Sequence, residues 1–115
     1  MSRSRQTLAL VLTVAGVAAC GQDLPTVDCA MPAVPSYAVV NAFRLSCTTC
    51  HSSTLAGSSR FGAPQDVNFD TYAAALPHAE EAARRVFAGD MPRMGTLSAG
   101  DKQVLYRWAL CGAPP

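Results

Sequence analysis

The sequence has 115 residues and lacks an apolar run of the roughly 20 residues that a membrane-spanning helix needs. The apolar stretch over residues 8–19 is too short and is broken by Thr13 and Gly16. Strand patterns are almost absent and no segment repeats, which argues against a β-sheet protein or a repeat array. There is no second Cys-x-x-Cys and no His-x-x-x-His, so the ligand spacing of a structural zinc site is incomplete.

The first 19 residues have the composition of a secretory signal. A short basic start, Met1-Ser2-Arg3-Ser4-Arg5, precedes the apolar stretch, which ends in small residues. The sequence Val17-Ala18-Ala19-Cys20 resembles the lipobox of bacterial lipoproteins, in which the residue matching Cys20 is lipidated and becomes the new N-terminus. The alternative is cleavage by ordinary signal peptidase, without lipid. We therefore predict a signal peptide over residues 1–19 and a lipidated linker over residues 20–35.

Removal of residues 1–19 changes the charge balance to seven basic residues against eight acidic ones. A net charge near −1 gives no reason to expect nucleic acid as a partner, so membrane contact is predicted through the lipid alone. We expect an exported protein on the periplasmic side of a bacterial membrane. No aspartate directly follows Cys20, which favours the outer membrane, and the cell surface is an alternative.

The segment Cys47-Thr48-Thr49-Cys50-His51 is the C-x-x-C-H signature of c-type haem attachment. Two thiols at this spacing reach the two vinyl groups on one edge of a porphyrin, and the adjacent imidazole reaches the iron. A thioredoxin-like site shares Cys-x-x-Cys but needs a βαβ pattern, which is missing here. The motif predicts one covalent haem c bound by Cys47 and Cys50, with His51 as proximal ligand. A dithiol or another metal site is the alternative.

Helical patterns account for most of the remaining chain. Capping residues and apolar stripes at i, i+3 and i+4 predict helices, and a cluster of Gly and Ser with Pro64 predicts a loop over residues 57–64. The predicted helices run from Ser36 to about Ser46, over Ala79 to Ala88, and from Ser98 to about Cys111, with a brief helical turn over Asp70 to Leu76. The expected fold is an all-α domain over residues 36–112.

The order of these features resembles the class I cytochrome c fold, and most closely the small haem domains of bacterial periplasmic lipoproteins. The resemblance covers about residues 36–112 and implies three to four helices around one covalent haem. In that family the sixth iron ligand is usually a methionine in a Met-Pro turn, which corresponds here to Met91-Pro92. The family often has a second proline where this chain has Arg93. Met94 and His78 are the rival ligands.

The resemblance implies one-electron transfer by a monomeric carrier whose redox partner proteins are unidentified. No nucleophile or general base with partners is visible, so we do not expect an enzyme. The main alternative is a haem enzyme or gas-binding sensor module with an open sixth coordination position. A second alternative is a structural or thiol-redox lipoprotein without haem. Arg60 and Arg93 are candidates to pair with haem propionates, or else solvated arginines.

A disulfide between Cys29 and Cys111 follows from the same interpretation. If lipid takes Cys20 and haem takes Cys47 and Cys50, these two thiols are left over in an oxidising compartment. In the cytochrome c fold the terminal helices pack together, so a bridge between Cys29 and Cys111 would tie the lipidated arm to the core. Two free thiols are the alternative.

Overall fold

The computed structural model describes residues 23–115 of the chain. The predicted signal peptide and the lipidation site Cys20 lie outside the described residues. Within them the chain forms helices and 3₁₀ turns and no β-strand, so the described part is all-α, as predicted. None of the helices over residues 23–115 has both the length and the apolar character needed to cross a membrane.

Four α-helical segments and four 3₁₀ turns make up the described fold. The helices are α1 (Asn41–Leu45), α2 (Tyr72–Ala75), α3 (Ala79–Ala88) and α4 (Ala99–Leu110). The 3₁₀ turns are Tyr37–Val39, Cys47–Thr49, Gly57–Arg60 and Leu76–His78. Helices α3 and α4 pack against each other, and α1 packs on α4.

Helix α3 has the bounds that the sequence predicts. Gly89 follows it in the left-handed conformation, at φ 82°, and donates its amide hydrogen to the last turn. Early carboxylates and late guanidinium groups form pairs three and four residues apart along the helix, such as Arg85 with Glu81 at 2.7 Å. The helix therefore ends at a defined point, which fixes where the following segment, residues 90–97, begins.

The single helix predicted from Ser36 to Ser46 is wrong. Val40 stands at φ −77° and ψ 80°, outside the helical region, and separates the first 3₁₀ turn from α1. The side chain of Ser36 makes no capping hydrogen bond, and the Tyr37 amide instead donates to the Pro114 carbonyl at 3.1 Å. Contact with the C-terminal tail and burial of Val40 outweigh the local helical pattern.

Aromatic side chains form the centre of the core. Trp108 of α4 is fully buried and meets the ring of Phe43 edge to face, with the centroids 5.2 Å apart. Phe43 in turn stacks on Phe69 at 5.1 Å. The Trp108 indole donates its hydrogen to the Pro114 carbonyl at 2.8 Å, so the last residues also belong to the folded unit.

The segment before Tyr37 is attached to the C-terminal end of α4. Arg107 donates to the carbonyl of Asp28 at 3.0 Å and to that of Pro32. Cys29 and Cys111 form a disulfide, with their Cα atoms 5.5 Å apart. Residues 28–32 are thus joined to the core by a covalent bond and by hydrogen bonds.

We expect a non-reducing peptide map of the protein to recover Cys29 and Cys111 in linked peptides. The two residues are 82 positions apart, and closing a loop of that length stabilises a fold by on the order of 4 kcal/mol in the chain-entropy model. In chemical denaturation, the double variant Cys29→Ser/Cys111→Ser should lose up to this amount of its free energy of unfolding. The loss is smaller if another crosslink within the loop already restricts the unfolded chain. Alkylation of both cysteines without prior reduction would contradict the bridge.

Ser98 should contribute more to stability than Ser36, although the sequence pattern predicts a helix cap at both. Ser98 Oγ accepts from the Asp101 amide at 3.0 Å, whereas Ser36 caps nothing. Ser98→Ala should therefore lower the free energy of unfolding by about 1 kcal/mol. Ser36→Ala, the matched control, should change it by less than about 0.5 kcal/mol. Equal losses in chemical denaturation would show that the cap is not formed.

Candidate cofactor site

A cleft of about 970 Å³ lies between the Cys47–His51 segment, the loop that follows it and the segment after α3. This volume is at the upper end of the range of roughly 300–1,000 Å³ for small-molecule and cofactor sites. Both cysteines and the histidine of the motif line the cleft. Its apolar lining includes Leu45, Phe61, Val67, Phe69, Val86, Met91 and Leu97. The cleft therefore has the size and lining of a site for a large, mostly apolar cofactor.

The two motif cysteines carry free thiols, whereas the other two cysteines of the described chain are bridged. Cys47 opens a 3₁₀ turn, and its carbonyl accepts the amide hydrogens of Cys50 at 3.2 Å and of His51 at 2.8 Å. This turn brings the two thiols and the imidazole to the same cleft. The three residues that the motif singles out therefore lie together in the structure.

The imidazole of His51 is buried and oriented by a main-chain carbonyl. Its Nδ1 lies 3.0 Å from the Val67 oxygen, and because a carbonyl can only accept, Nδ1 must carry the hydrogen. Burial lowers the pKa of His51 below its usual value, and the nearby Arg60 charge acts in the same direction. A neutral imidazole in this tautomer has its lone pair on Nε2, as a histidine metal ligand requires.

Met91 lies in the segment that α3 positions. The Arg85 carbonyl accepts the amide hydrogens of Asp90 at 2.9 Å and of Met91 at 3.2 Å, which extends the end of the helix. The Met91 side chain is half-buried and packs against the core at the lining of the cleft. The Met91 thioether therefore lies at the cleft on a segment whose main chain is held by hydrogen bonds.

The rival ligands Met94 and His78 also line the cleft. Met94 is 58% exposed, in contrast to the half-buried Met91. His78 already uses its Nε2 in a hydrogen bond of 3.1 Å with the Asp66 carbonyl. The structure thus brings all three sequence candidates to one cleft, and they differ in burial and in the hydrogen bonds they make.

Arg60 is not a solvated arginine, and the donors that a propionate would need are already bonded within the protein. Its side chain is 2% exposed, and all its N–H groups are already used by oxygen acceptors. These acceptors are the carbonyls of Ser52, Leu55, Ala63, Pro64 and Val67 and the side-chain oxygen of Asn68. Within residues 23–115 it forms no ion pair. No local pattern signals such a residue, because its partners are main-chain atoms brought in by the fold.

Arg93, the other candidate for pairing with a propionate, is exposed at the rim of the cleft. Across the described range 23–115 it makes no salt bridge with a carboxylate. Its guanidinium therefore remains accessible to an anionic group bound in the cleft, unlike that of Arg60.

Two other kinds of site receive little support. No group of three or more His, Cys, Asp or Glu side chains between residues 23 and 115 is arranged to hold a metal ion. Burial raises the pKa of the Cys47 thiol to about 11, whereas reactive dithiol sites depend on a lowered thiol pKa.

No protein-family model, curated protein or solved structure matches the chain. The chemistry of the site follows from the residues that line it.

Proposed function

We propose that this protein is a monohaem c-type cytochrome with a cytochrome c-like fold that transfers one electron at a time. One observation carries the proposal. Two free thiols and a neutral, oriented imidazole, at the spacing of the haem-attachment signature, line a single cleft of about 970 Å³. Each of these groups has a distinct use in holding haem c, and other sites do not require all of them together.

In this proposal the two thiols attach the cofactor. Cys47 and Cys50 would hold the haem as two thioethers, each formed by addition of one S–H across one vinyl group, with the hydrogen on the other vinyl carbon and no leaving group. The haem would then be a crosslink within the short motif. The free state of both thiols and their position at the cleft support this role.

His51 supplies the proximal ligand through Nε2. The hydrogen bond from Nδ1 to the Val67 carbonyl fixes the ring plane, and burial keeps the imidazole neutral. Bound in the cleft, the haem would supply an iron centre that alternates between the ferric and ferrous states. The apolar side chains of the lining would limit the access of water to that centre.

Met91 is the proposed sixth ligand, because it combines a half-buried side chain with a fixed main chain at the cleft. A thioether ligand favours ferrous iron and raises the potential relative to a second histidine. Arg93 at the rim is a candidate partner for a propionate. With both axial positions taken, the protein would act as a carrier between redox partner proteins. Export and lipid anchoring at Cys20 complete the proposal, on the sequence signals given above.

The attachment predicts haem that acid-acetone extraction leaves on the polypeptide. Cys47→Ala or Cys50→Ala should lower the yield of stable holoprotein, or change the pyridine-haemochrome spectrum to that of a single thioether. The control is Thr49→Ala, which changes an exposed residue of the same motif and should keep covalent haem. Haem that extracts freely from the wild-type protein would end the proposal.

The sixth ligand can be tested by replacing the two methionines of the cleft one at a time. Ferric haem with a thioether ligand has a weak long-wavelength absorption band, which Met91→Ala should remove while lowering the potential. Met94→Ala, the matched control, should keep both. The opposite result would assign the ligand to Met94. A wild-type protein that is high-spin and binds carbon monoxide readily would favour the enzyme or gas sensor with an open sixth position.

A further inference from the structure

The Val67 carbonyl oxygen has two hydrogen-bond donors. His51 Nδ1 lies 3.0 Å from it, and Arg60 Nη2 lies 3.0 Å from it as well. The proposed proximal ligand and a buried cation therefore share one acceptor. This arrangement is not part of the haem-attachment signature, because it depends on a residue in the loop that follows the motif.

Arg60 is held firmly in this position. Its five N–H groups meet six oxygen acceptors, which are five main-chain carbonyls and the side-chain oxygen of Asn68. The two hydrogens on Nη2 are shared among Pro64, Val67 and Asn68. Within the described part of the chain no carboxylate makes an ion pair with it, so oxygen dipoles are its direct partners and the Asp70 carboxylate acts on its charge only at longer range. Its donors are all in use, which leaves the guanidinium no capacity for a further ligand. Its remaining influence is electrostatic and acts on its neighbours.

We propose that Arg60 is a positioning residue for the haem that raises the reduction potential of the iron through His51 and the Val67 carbonyl. The inference rests on the proposed cytochrome function. A carbonyl that already accepts from a cation attracts the Nδ1 hydrogen less strongly. The imidazole then keeps that hydrogen more firmly and donates less electron density through Nε2, which stabilises ferric iron less.

The charge itself acts in the same direction. A buried cation is screened much less than one at the surface, and it disfavours the more positive of two neighbouring states. Ferric haem carries one positive charge more than ferrous haem, so the Arg60 charge favours reduction. Both effects predict that neutralising Arg60 lowers the potential. A purely structural role of Arg60 predicts no such direction.

The test compares Arg60→Gln with Arg44→Gln in the holoprotein, with midpoint potentials measured by spectroelectrochemical titration. Arg44 is exposed, so its replacement removes the same charge from a solvated position. Arg60→Gln should shift the ferrous-to-ferric ratio at fixed potential by about tenfold towards ferric iron, which is about 59 mV for one electron. Arg44→Gln should shift it less than twofold. The Nδ1–H resonance of His51 in the ferrous protein should also move with Arg60→Gln and stay in place with Arg44→Gln.

A second pair of variants keeps Arg60 in place and changes its acceptor. Asn68→Asp puts a carboxylate of the same shape at the oxygen that lies 2.9 Å from Arg60 Nη2, which places a negative charge beside the buried cation. The change also removes the hydrogen bond that Asn68 Nδ2 donates to the Gln65 carbonyl. Its control is Gln103→Glu, which adds the same charge at an exposed position of α4. Asn68→Asp should lower the potential as Arg60→Gln does, and Gln103→Glu should shift it much less.

The outcomes separate this inference from the function on which it rests. Covalent haem with potentials that move no more in Arg60→Gln and Asn68→Asp than in their controls would overturn the role of Arg60 and leave the cytochrome intact. If Arg60→Gln yields no folded holoprotein, the potentials of Asn68→Asp and Gln103→Glu decide whether Arg60 has this role. Wild-type protein without covalent haem would overturn the proposed function itself.

Discussion

One side chain, Arg60, links the carbonyl groups of the backbone between the motif and α2. Residues 52–68 contain a single short 3₁₀ turn, so most of their carbonyl oxygens have no helical or sheet partner. Arg60 donates to five of the main-chain carbonyls in this segment from the inside of the loop. Lysine has three donors and no planar fork, and it could not hold the same set of oxygens. The orientation of His51 follows from this loop, because its ring is held by Val67.

The core and the candidate site share an aromatic side chain. Phe69 stacks on Phe43 on one side, and its ring meets that of His51 edge to face at 5.5 Å. Phe43 in turn meets Trp108 of α4. Ring contacts therefore connect Trp108 of α4 with the imidazole. They link the packed core to a site that lies beside irregular backbone.

Local signals explain which parts of the fold could be predicted. The ends of α3 and α4 depend on Gly89 and Ser98, whose effects reach only a few residues along the chain, and both helices lie where the sequence predicts them. The cysteine and histidine motif also acts locally, and its three side chains line one cleft. The break at Val40 and the burial of Arg60 arise from partners that come together only in the folded chain. Their positions could not be read from spacing or capping residues.

The choice of the sixth ligand also depends on contacts that form only in the folded chain. Sequence alone does not decide whether Met91, Met94 or His78 is the sixth ligand. In the structure all three residues line the cleft. For Met94 to bind iron, a side chain that is 58% exposed would have to give up its rotamer freedom and surrounding water. For His78 to bind through Nε2, the imidazole would have to give up its hydrogen bond with the Asp66 carbonyl. Met91 would lose less rotamer freedom and less hydration, because its side chain already packs on the core and its amide is bonded to the Arg85 carbonyl. The balance of these costs favours Met91 as the ligand in the proposed cytochrome.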